Sequence, residues 1–144
     1  MKRMTIAVMA LALGAVAAFA DDDPIKARRD LMKANGQATK TVVGMLKGAP
    51  YDQTAVNTAL KSYAEAAAKA PALFPDTSKT GDTNALPAIW ENKADFEARF
   101  KKFADDVSAA QTAITDEASF KATMPGLLKN NCGACHEKYR AKQN

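Results

Sequence analysis

The sequence predicts an all-α protein, an antiparallel four-helix bundle in a single domain. Apolar residues recur at every third or fourth position in four separate segments, which is the period of an amphipathic helix. Proline, glycine and helix-capping residues lie between these segments, and we find no pattern rich in strands. Four helices joined mostly by short connections are typical of a bundle whose apolar faces meet in one core.

The first twenty residues predict a secretory signal peptide. Met1-Lys2-Arg3 is a basic start, residues 6–20 are apolar, and Ala18-Phe19-Ala20 has the small-x-small form of a cleavage site. The alternative is an uncleaved membrane anchor, but the apolar run is shorter than the ~20 residues that a membrane span needs. Cleavage after Ala20 leaves residues 21–144 as the four-helix-bundle domain, long enough to bury a core.

The first helix is predicted to begin at Asp23-Pro24, a capping residue followed by a proline at the first helical position. It extends to about Lys47, and Gly48-Ala49-Pro50 ends it. Two neighbouring stripes run along it, with Ile25, Arg28, Met32, Asn35 and Thr39 on one and Leu31, Ala34, Ala38, Val42 and Met45 on the other.

The second helix is predicted to begin after Asp52, and Pro71 stops it. Its apolar face is rich in alanine between positions 56 and 67, so another helix can approach it closely. Residues 71–87 carry turn chemistry and predict a long irregular loop, a feature that is often functional. Residues 88–90 are expected to form a short turn that packs back on the core.

The third helix carries the most regular pattern, a bundle seam of apolar residues spaced four, three, four, three and four apart: Phe96, Phe100, Phe103, Val107, Ala110 and Ile114. The fourth helix is expected to start at Asp116 or Ser119 and to continue to about Lys142. Its inward residues are Phe120, Met124, Leu127 and Leu128. Pro125 falls inside this pattern and predicts a kink or a late start.

The segment Cys132-Gly133-Ala134-Cys135-His136 on this last helix is the attachment signature of a c-type haem. Two thiols add across the vinyl groups on one edge of the porphyrin, and the next residue brings an imidazole nitrogen to the iron. On a helix, Cys132 lies three residues from Cys135 and four from His136, so all three project from one face. The motif holds the only cysteines and the only histidine of the chain. It predicts one covalent haem c per chain, in the core of the bundle.

Three other chemistries use closely spaced cysteines. A thioredoxin-like dithiol belongs beside a βαβ pattern, and structural zinc usually takes four Cys or His ligands, whereas this chain has three such residues. A structural disulfide between Cys132 and Cys135 would close a very small loop and add little stability. Haem attachment is therefore the preferred interpretation, and a disulfide or a redox dithiol is the alternative.

The second iron ligand is predicted by elimination and by level in the bundle. His136 takes one side of the iron, and without a second histidine the next natural ligand is a methionine thioether. In an up-down-up-down bundle, Met32 lies ~12 Å from the start of the first helix and His136 ~9 Å from the facing end of the fourth. Met45 falls at the wrong end, and Met124 shares a helix with His136. The competing residue is Leu31, which would leave the sixth position empty and apolar, as in a five-coordinate, gas-binding haem protein.

A C-terminal Cys-x-x-Cys-His on the last helix of an exported bundle resembles the class II c-type cytochromes, the cytochrome c′ family, over essentially the whole mature chain. Residues 29–36, RDLMKANG, resemble the first-helix motif of the low-spin cytochrome c-556 branch, which implies that Met32 ligates the iron. High-spin members carry an apolar residue over the iron, and alignment on residues 49–52 places that residue at Leu31. Other stretches that look like family landmarks are Ala49-Pro50-Tyr51-Asp52, Leu73-Phe74-Pro75, Ile89-Trp90 and Tyr139-Arg140.

Charged residues near these ligands suggest further contacts. Arg28 precedes Met32 by one helical turn and is expected to contact a haem propionate, a charge-assisted interaction. The alternative for Arg28 is a solvated surface arginine. Lys138, Arg140 and Lys142 follow the haem motif and would either dock an acidic redox partner or satisfy the end of the helix.

The predicted function is single-electron transfer in the periplasm by a haem c protein with His136 and Met32 as axial ligands. Binding of nitric oxide or carbon monoxide under Leu31 is the alternative. The mature chain carries 18 basic and 16 acidic residues, which gives no argument for nucleic acid. We see no catalytic constellation, and we expect no enzymatic activity. The expected partners are redox proteins of unknown identity; we expect no membrane span after cleavage and either a monomer or a homodimer paired through the first two helices.

Overall fold

The computed structural model describes residues 23–142. The predicted signal peptide, residues 1–20, lies outside this range and stays a prediction. Within the described part of the chain, no helix is both long enough and apolar enough to cross a membrane.

Helices α1, Pro24–Leu46, and α2, Gln53–Lys69, begin where their capping residues predict. The Asp23 carboxylate accepts hydrogen bonds from the backbone N–H groups of Ile25 and Lys26, at 2.9 and 3.0 Å. Asp52 does the same for the first turn of α2. Gly48, with a φ of 108°, adopts the left-handed conformation that ends α1, where a residue with a side chain would be strained.

The connection between α2 and the third long helix is irregular, as predicted, apart from two 3₁₀ turns, Ala70–Leu73 and Asp76–Ser78. The short helix α3, Ala88–Glu91, follows it and buries Ile89 in the core. The Trp90 indole N–H donates to the carbonyl oxygens of Phe74 and Pro75, at 3.1 and 3.2 Å. These bonds hold the loop against α3.

Helix α4, Lys93–Ala113, buries the whole predicted seam from Phe96 to Ala110, and Ile114 just beyond its end is buried too. Helix α5, Glu117–Leu127, starts at a capping box formed by Asp116 and Ser119. The late start that Pro125 also allowed is therefore excluded, because Pro125 lies in the ninth position of α5.

The predicted continuous fourth helix is in fact three segments. A π-helical segment, Leu128–Gly133, follows α5, and helix α6, Ala134–Tyr139, carries the second half of the haem motif. The helix ends at Tyr139 and not near Lys142, because Arg140 is extended and the backbone there pairs with the loop before α3. The Leu86 N–H donates to the Tyr139 carbonyl at 3.0 Å, and the Ala141 N–H to the Asn84 carbonyl at 2.8 Å.

The long helices pack around one hydrophobic core, with α1 against α2, α2 against α4 and α4 against α5. Because short turns join α1 to α2 and α4 to α5, each of these pairs is antiparallel. The four-helix-bundle prediction is confirmed, with α5, the π-helical segment and α6 together in the place of the fourth helix.

Candidate functional site

A cleft lies between α1 and the C-terminal helical segments. It consists of a larger cavity of ≈ 730 Å³ and a smaller one of ≈ 560 Å³. Both volumes are in the range of sites for small ligands and cofactors. The residues that line both cavities are Met32, Phe100, Cys135, His136 and Arg140. We call the two cavities together the haem cleft, because the residues of the predicted attachment motif open into it.

The two cysteines are half-buried at this cleft and do not form a disulfide. Burial is the main cause that raises the pKa of each thiol, and for Cys135 it prevails over the nearby Arg99 guanidinium. A redox-active dithiol requires a lowered thiol pKa, since the thiolate is the nucleophile. The environment therefore does not favour the redox-dithiol alternative. Within residues 23–142, no group of three or more His, Cys, Asp or Glu side chains is placed to hold a metal ion.

His136 has the protonation state that an iron ligand needs. Burial and then the positive charge of Arg140 lower its pKa, so the imidazole is neutral at pH 7. Among residues 23–142, no side chain or backbone group forms a hydrogen bond with the ring, and the ring opens into both cavities. A ring nitrogen is thus available for coordination.

The methionines are distributed as their levels in the bundle predict. Met32 is half-buried and lines both cavities of the haem cleft. Met124 is fully buried in the core, and the Met45 sulfur accepts a hydrogen bond from the Asp52 N–H at 3.3 Å; neither residue lines the cleft. Leu31 packs against the hydrophobic core and lines neither cavity. The choice of Met32 as the distal ligand stays a prediction.

Two glycines of α1 make room in the cleft. Gly36 and Gly44 line the smaller cavity, and a methyl group built at either position would meet no atom within 4 Å. Glycine inside a helix costs roughly 0.5–1 kcal/mol relative to alanine, and no protein contact requires it here. Open space beside this helix fits a flat prosthetic group held between α1 and the cysteines. Sequence reasoning missed this role, although two glycines in an otherwise regular helix were a visible signal.

Arg28 lies at the wall of the larger cavity and is only 4 % exposed. Its guanidinium donates to the carbonyl oxygens of Leu73 and Ser78 and to the hydroxyls of Ser78 and Thr83, at 2.8–3.1 Å. It also stacks on the Phe74 ring, 4.6 Å from the centroid. Burial lowers its pKa. The alternative of a solvated surface arginine is wrong, because the loop after α2 closes over the side chain. The propionate contact stays a prediction.

The π-helical segment positions Cys132, the first cysteine of the motif. A π turn inserts one extra residue and rotates the helix face that follows it. The buried Asn131 amide donates to the carbonyl of Leu127, the last residue of α5, at 3.1 Å and to the Asp106 carboxylate of α4 at 2.8 Å. Asn131 therefore ties this turn to α4, a role that helical spacing alone did not reveal.

Asp95 of α4 holds the helix that carries His136. Its carboxylate accepts hydrogen bonds from the Tyr139 hydroxyl, from Arg99 Nε at 2.8 Å and from Lys138 Nζ at 3.0 Å. These donors, the Tyr139 hydroxyl foremost, hold the pKa of Asp95 far below its ordinary value of 3.8. Lys138 thus has a partner within the fold, which weakens the prediction that it docks a redox partner.

This network predicts an acid-sensitive part of the stability. Since the pKa of Asp95 is depressed in the folded state, the contribution is complete above the unfolded value of 3.8 and declines as the pH falls below it. Asp95→Asn is therefore expected to lower the free energy of unfolding at pH 7 and to differ less from the wild type at pH 3. Urea unfolding followed by circular dichroism at both pH values measures this difference. Asp105→Asn, which removes an exposed ion pair with Lys101, is the control. An equal deficit of Asp95→Asn at both pH values would contradict the prediction.

The sequence and the structure of this chain are similar to those of known proteins. A family model described as Cytochrome C' matches residues 23–140. A protein named cytochrome c′ from Rhodopseudomonas palustris is 47 % identical over 146 residues, which cover 99 % of each chain. A cytochrome c-556 from the same organism is 38 % identical over 149 residues, again 99 % of each chain. A solved structure of the cytochrome c′ from R. palustris superposes with a TM-score of 0.81 at 49 % identity, and covers 85 % of this chain and 98 % of its own.

Proposed function

Because this chain belongs to the cytochrome c′ family and carries haem c, we propose that it is a periplasmic single-electron carrier with His136 and Met32 as its axial iron ligands. Cys132 and Cys135 would hold the haem through thioether bonds. The haem would supply an iron that accepts and releases one electron, and His136 and Met32 would be the residues that hold that iron. The protein is not an enzyme, in line with its relatives.

The observation that carries the proposal is the position of Met32 relative to its neighbour in sequence. Met32 opens into the same two cavities as His136, whereas Leu31 lines neither of them, although both side chains also pack against the core. A one-residue shift rotates a side chain by about 100° around a helix, so only one of the two can face the cleft squarely. Methionine is an established haem ligand, and leucine has no donor atom.

The other residues that line the cleft suit an electron carrier better than an enzyme. Phe96, Phe100 and Phe103 of α4 line the cleft, and their apolar rings would limit the access of water to a haem bound there. The neutral His136 is the only histidine of the chain, so no second imidazole is available for acid–base chemistry. With His136 and Met32 both carried on helices, such a site would reorganise little when an electron enters or leaves.

Arg28 would stabilise the propionate end of the haem. The buried guanidinium donates four hydrogen bonds to the loop after α2. Within residues 23–142, it forms no close ion pair with a carboxylate. Asp23 attracts it without forming a close ion pair, so this buried cation favours a further anion nearby. The larger cavity, which Arg28 lines, would therefore take the propionates.

The predicted signal peptide and the haem motif together support a periplasmic location, since bacterial haem c is attached outside the cytoplasmic membrane. The choice between monomer and homodimer stays open as a prediction. The alanine-rich α2 already buries Val56, Ala59, Leu60, Tyr63, Ala66 and Ala67 within its own chain, which leaves less of that face for a partner.

A second candidate function is the binding of nitric oxide or carbon monoxide by a five-coordinate iron under Leu31. The observation in its favour is that the relative named cytochrome c′ is more similar to this chain than the one named cytochrome c-556. Under this alternative, Met32 would remain a packing residue at the cleft wall.

Absorption spectra of the purified holoprotein in the oxidised and reduced states test the two functions. The chain should be expressed with residues 1–20 in a bacterium that attaches haem c. The His136/Met32 pair predicts low-spin, six-coordinate spectra in both states and no reaction of the reduced protein with carbon monoxide. High-spin, five-coordinate spectra in both states would reject electron transfer through a His/Met iron and favour gas binding.

A further inference from the structure

The lysines and arginines of the surface divide into two groups according to whether they have a partner. Most pair with a carboxylate, usually one turn away on the same helix: Lys26, Arg29, Lys69, Lys79, Lys93, Arg99, Lys101, Lys102, Lys121 and Lys138. Within residues 23–142, the exposed cations that form no close ion pair with a carboxylate are Lys33, Lys40, Lys47, Lys61, Lys129, Arg140 and Lys142. Of these, Lys33 and Lys61 are attracted at longer range by Asp30 and Glu65. More than half of this second group lines the haem cleft.

Lys33, Lys40 and Lys47 form a stripe along one edge of the cleft. They are seven residues apart, which is close to two helical turns, so they lie on one face of α1 over a length of ~21 Å. All three are exposed, and each lines one of the two cavities. Arg140 follows the end of α6 and lines both cavities from the opposite side. We call these four residues the cleft-mouth patch.

The charged side chains that line the smaller cavity are all positive. Its charged lining residues are Lys40, Lys47, Arg99 and Arg140, and no described carboxylate lines it. The larger cavity has a lining of mixed sign, because three carboxylates line it beside five cations: Asp23, Asp30 and Asp82 beside Lys26, Arg28, Arg29, Lys33 and Arg140. A cleft edged by one sign of charge concentrates the electrostatic field and attracts groups of the opposite sign. The smaller cavity is also the one that Cys132 lines, so the positive potential is centred on the thioether edge of the haem cleft.

Helix stability accounts for only part of this arrangement. Lys47 caps the C-terminus of α1, where a cation interacts favourably with the helix dipole. Lys33 and Lys40 lie inside the helix and gain nothing of that kind. Helix α4 shows how such lysines are usually balanced, since Lys101 and Lys102 each face an aspartate four residues later. No equivalent acid accompanies Lys40 on α1.

We infer that the cleft-mouth patch docks the acidic surface of a redox partner protein, and so brings that partner over the thioether edge of the cleft. This inference rests on the proposed electron-transfer function. A stripe of ~21 Å matches the small interfaces of transient redox complexes, and opposite charge mainly accelerates their encounter. An anionic membrane would instead favour exposed apolar side chains beside the lysines. The exposed residues between them are Ala34, Gly36, Gln37 and Thr41.

The first arm of the test compares charge variants of the reduced holoprotein in stopped-flow oxidation. At low ionic strength, Lys33→Gln/Lys40→Gln/Lys47→Gln should lower the rate constant with anionic hexacyanoferrate(III) about three- to tenfold. The rate with cationic tris(phenanthroline)cobalt(III) should not fall. The control Lys61→Gln/Lys101→Gln/Lys121→Gln removes the same net charge from residues that line neither cavity, and should stay near the wild-type rate. Equal losses in both variants would overturn the inference.

The second arm identifies the occupant by amide chemical shifts of the holoprotein. Poly-L-glutamate, as a mimic of an acidic protein surface, should shift amides of residues 33–47 and 140 at low salt and not at high salt. Absence of these shifts, binding to phosphatidylglycerol vesicles alone, or concentration-dependent self-association through the same amides would each overturn it. If neither oxidant reacted with the wild type or with any variant, the proposed electron transfer would be refuted. The poly-L-glutamate experiment would still decide whether the cleft-mouth patch binds an acidic surface.

Discussion

Under the proposed His136/Met32 ligation, Met32→Ala is expected to convert the haem iron from low spin to high spin and to create carbon monoxide binding in the reduced state. The reason is that the Met32 thioether opens into the same two cavities as His136, and alanine has no donor atom to replace it. Removing a half-buried methionine costs roughly 1–3 kcal/mol, which leaves the bundle folded. Absorption spectra before and after addition of carbon monoxide measure the change, and circular dichroism verifies the fold.

Leu31→Ala is the matched control, because it truncates the adjacent residue that packs on the core and does not line the cleft. It should lower stability and leave the low-spin spectrum unchanged. The reverse outcome, in which Met32→Ala has the spectrum of the wild type and Leu31→Ala alters gas binding, would reject Met32 as the ligand. It would support the five-coordinate alternative instead.

Arg28→Leu is expected to reduce the free energy of unfolding of the holoprotein by about 2–4 kcal/mol, since hydrogen bonds to a charged group contribute about 1.5–3 kcal/mol each and do not add fully. The substitution leaves the Leu73 and Ser78 carbonyl oxygens without their donor and removes the cation that stacks on Phe74. Urea unfolding measures the loss, and hydrogen exchange should show faster opening of residues 74–83 than of α2 or α4.

Arg29→Leu is the control for this effect. Arg29 is the next residue, but it is exposed and pairs with the exposed Asp82, so its loss should cost less than about 1 kcal/mol. Similar losses for both variants would show that Arg28 does not anchor the loop. The reduction potential tests the propionate contact separately. Loss of a nearby positive charge favours the oxidised iron, so Arg28→Leu should lower the potential and Arg29→Leu should change it less.

The helices of this protein are predictable because their signals are local. Asp23, Asp52 and Asp116 each cap a helix within three residues of their own position, and Gly48 ends α1 through its own backbone conformation. The phenylalanine seam of α4 follows from the period of the helix, and every one of its residues is buried. The haem motif is local as well, since its three functional residues lie within five positions.

The exceptions arise where distant parts of the chain meet. The fourth helix ends at Tyr139 because the loop at Asn84 and Leu86 takes the backbone that would have continued it. The π-helical segment depends on Asn131, which bonds to Asp106 on another helix. The sequence around Asn131 and Tyr139 does not reveal their partners, Asp106 and the loop at Asn84 and Leu86, because these lie many residues away.

By itself, the sequence determined the fold class, the start of each long helix and the chemistry of the attachment motif, because these depend on residues within a few positions of one another. Only the tertiary structure decided that Arg28 is a buried anchor of the loop and that Met32, not Leu31, opens into the cleft with His136. The tertiary structure also shows which lysines and arginines form ion pairs with carboxylates and which line the cleft without one. These outcomes depend on which surfaces of separate helices face each other, and that is set by the packing of the whole core.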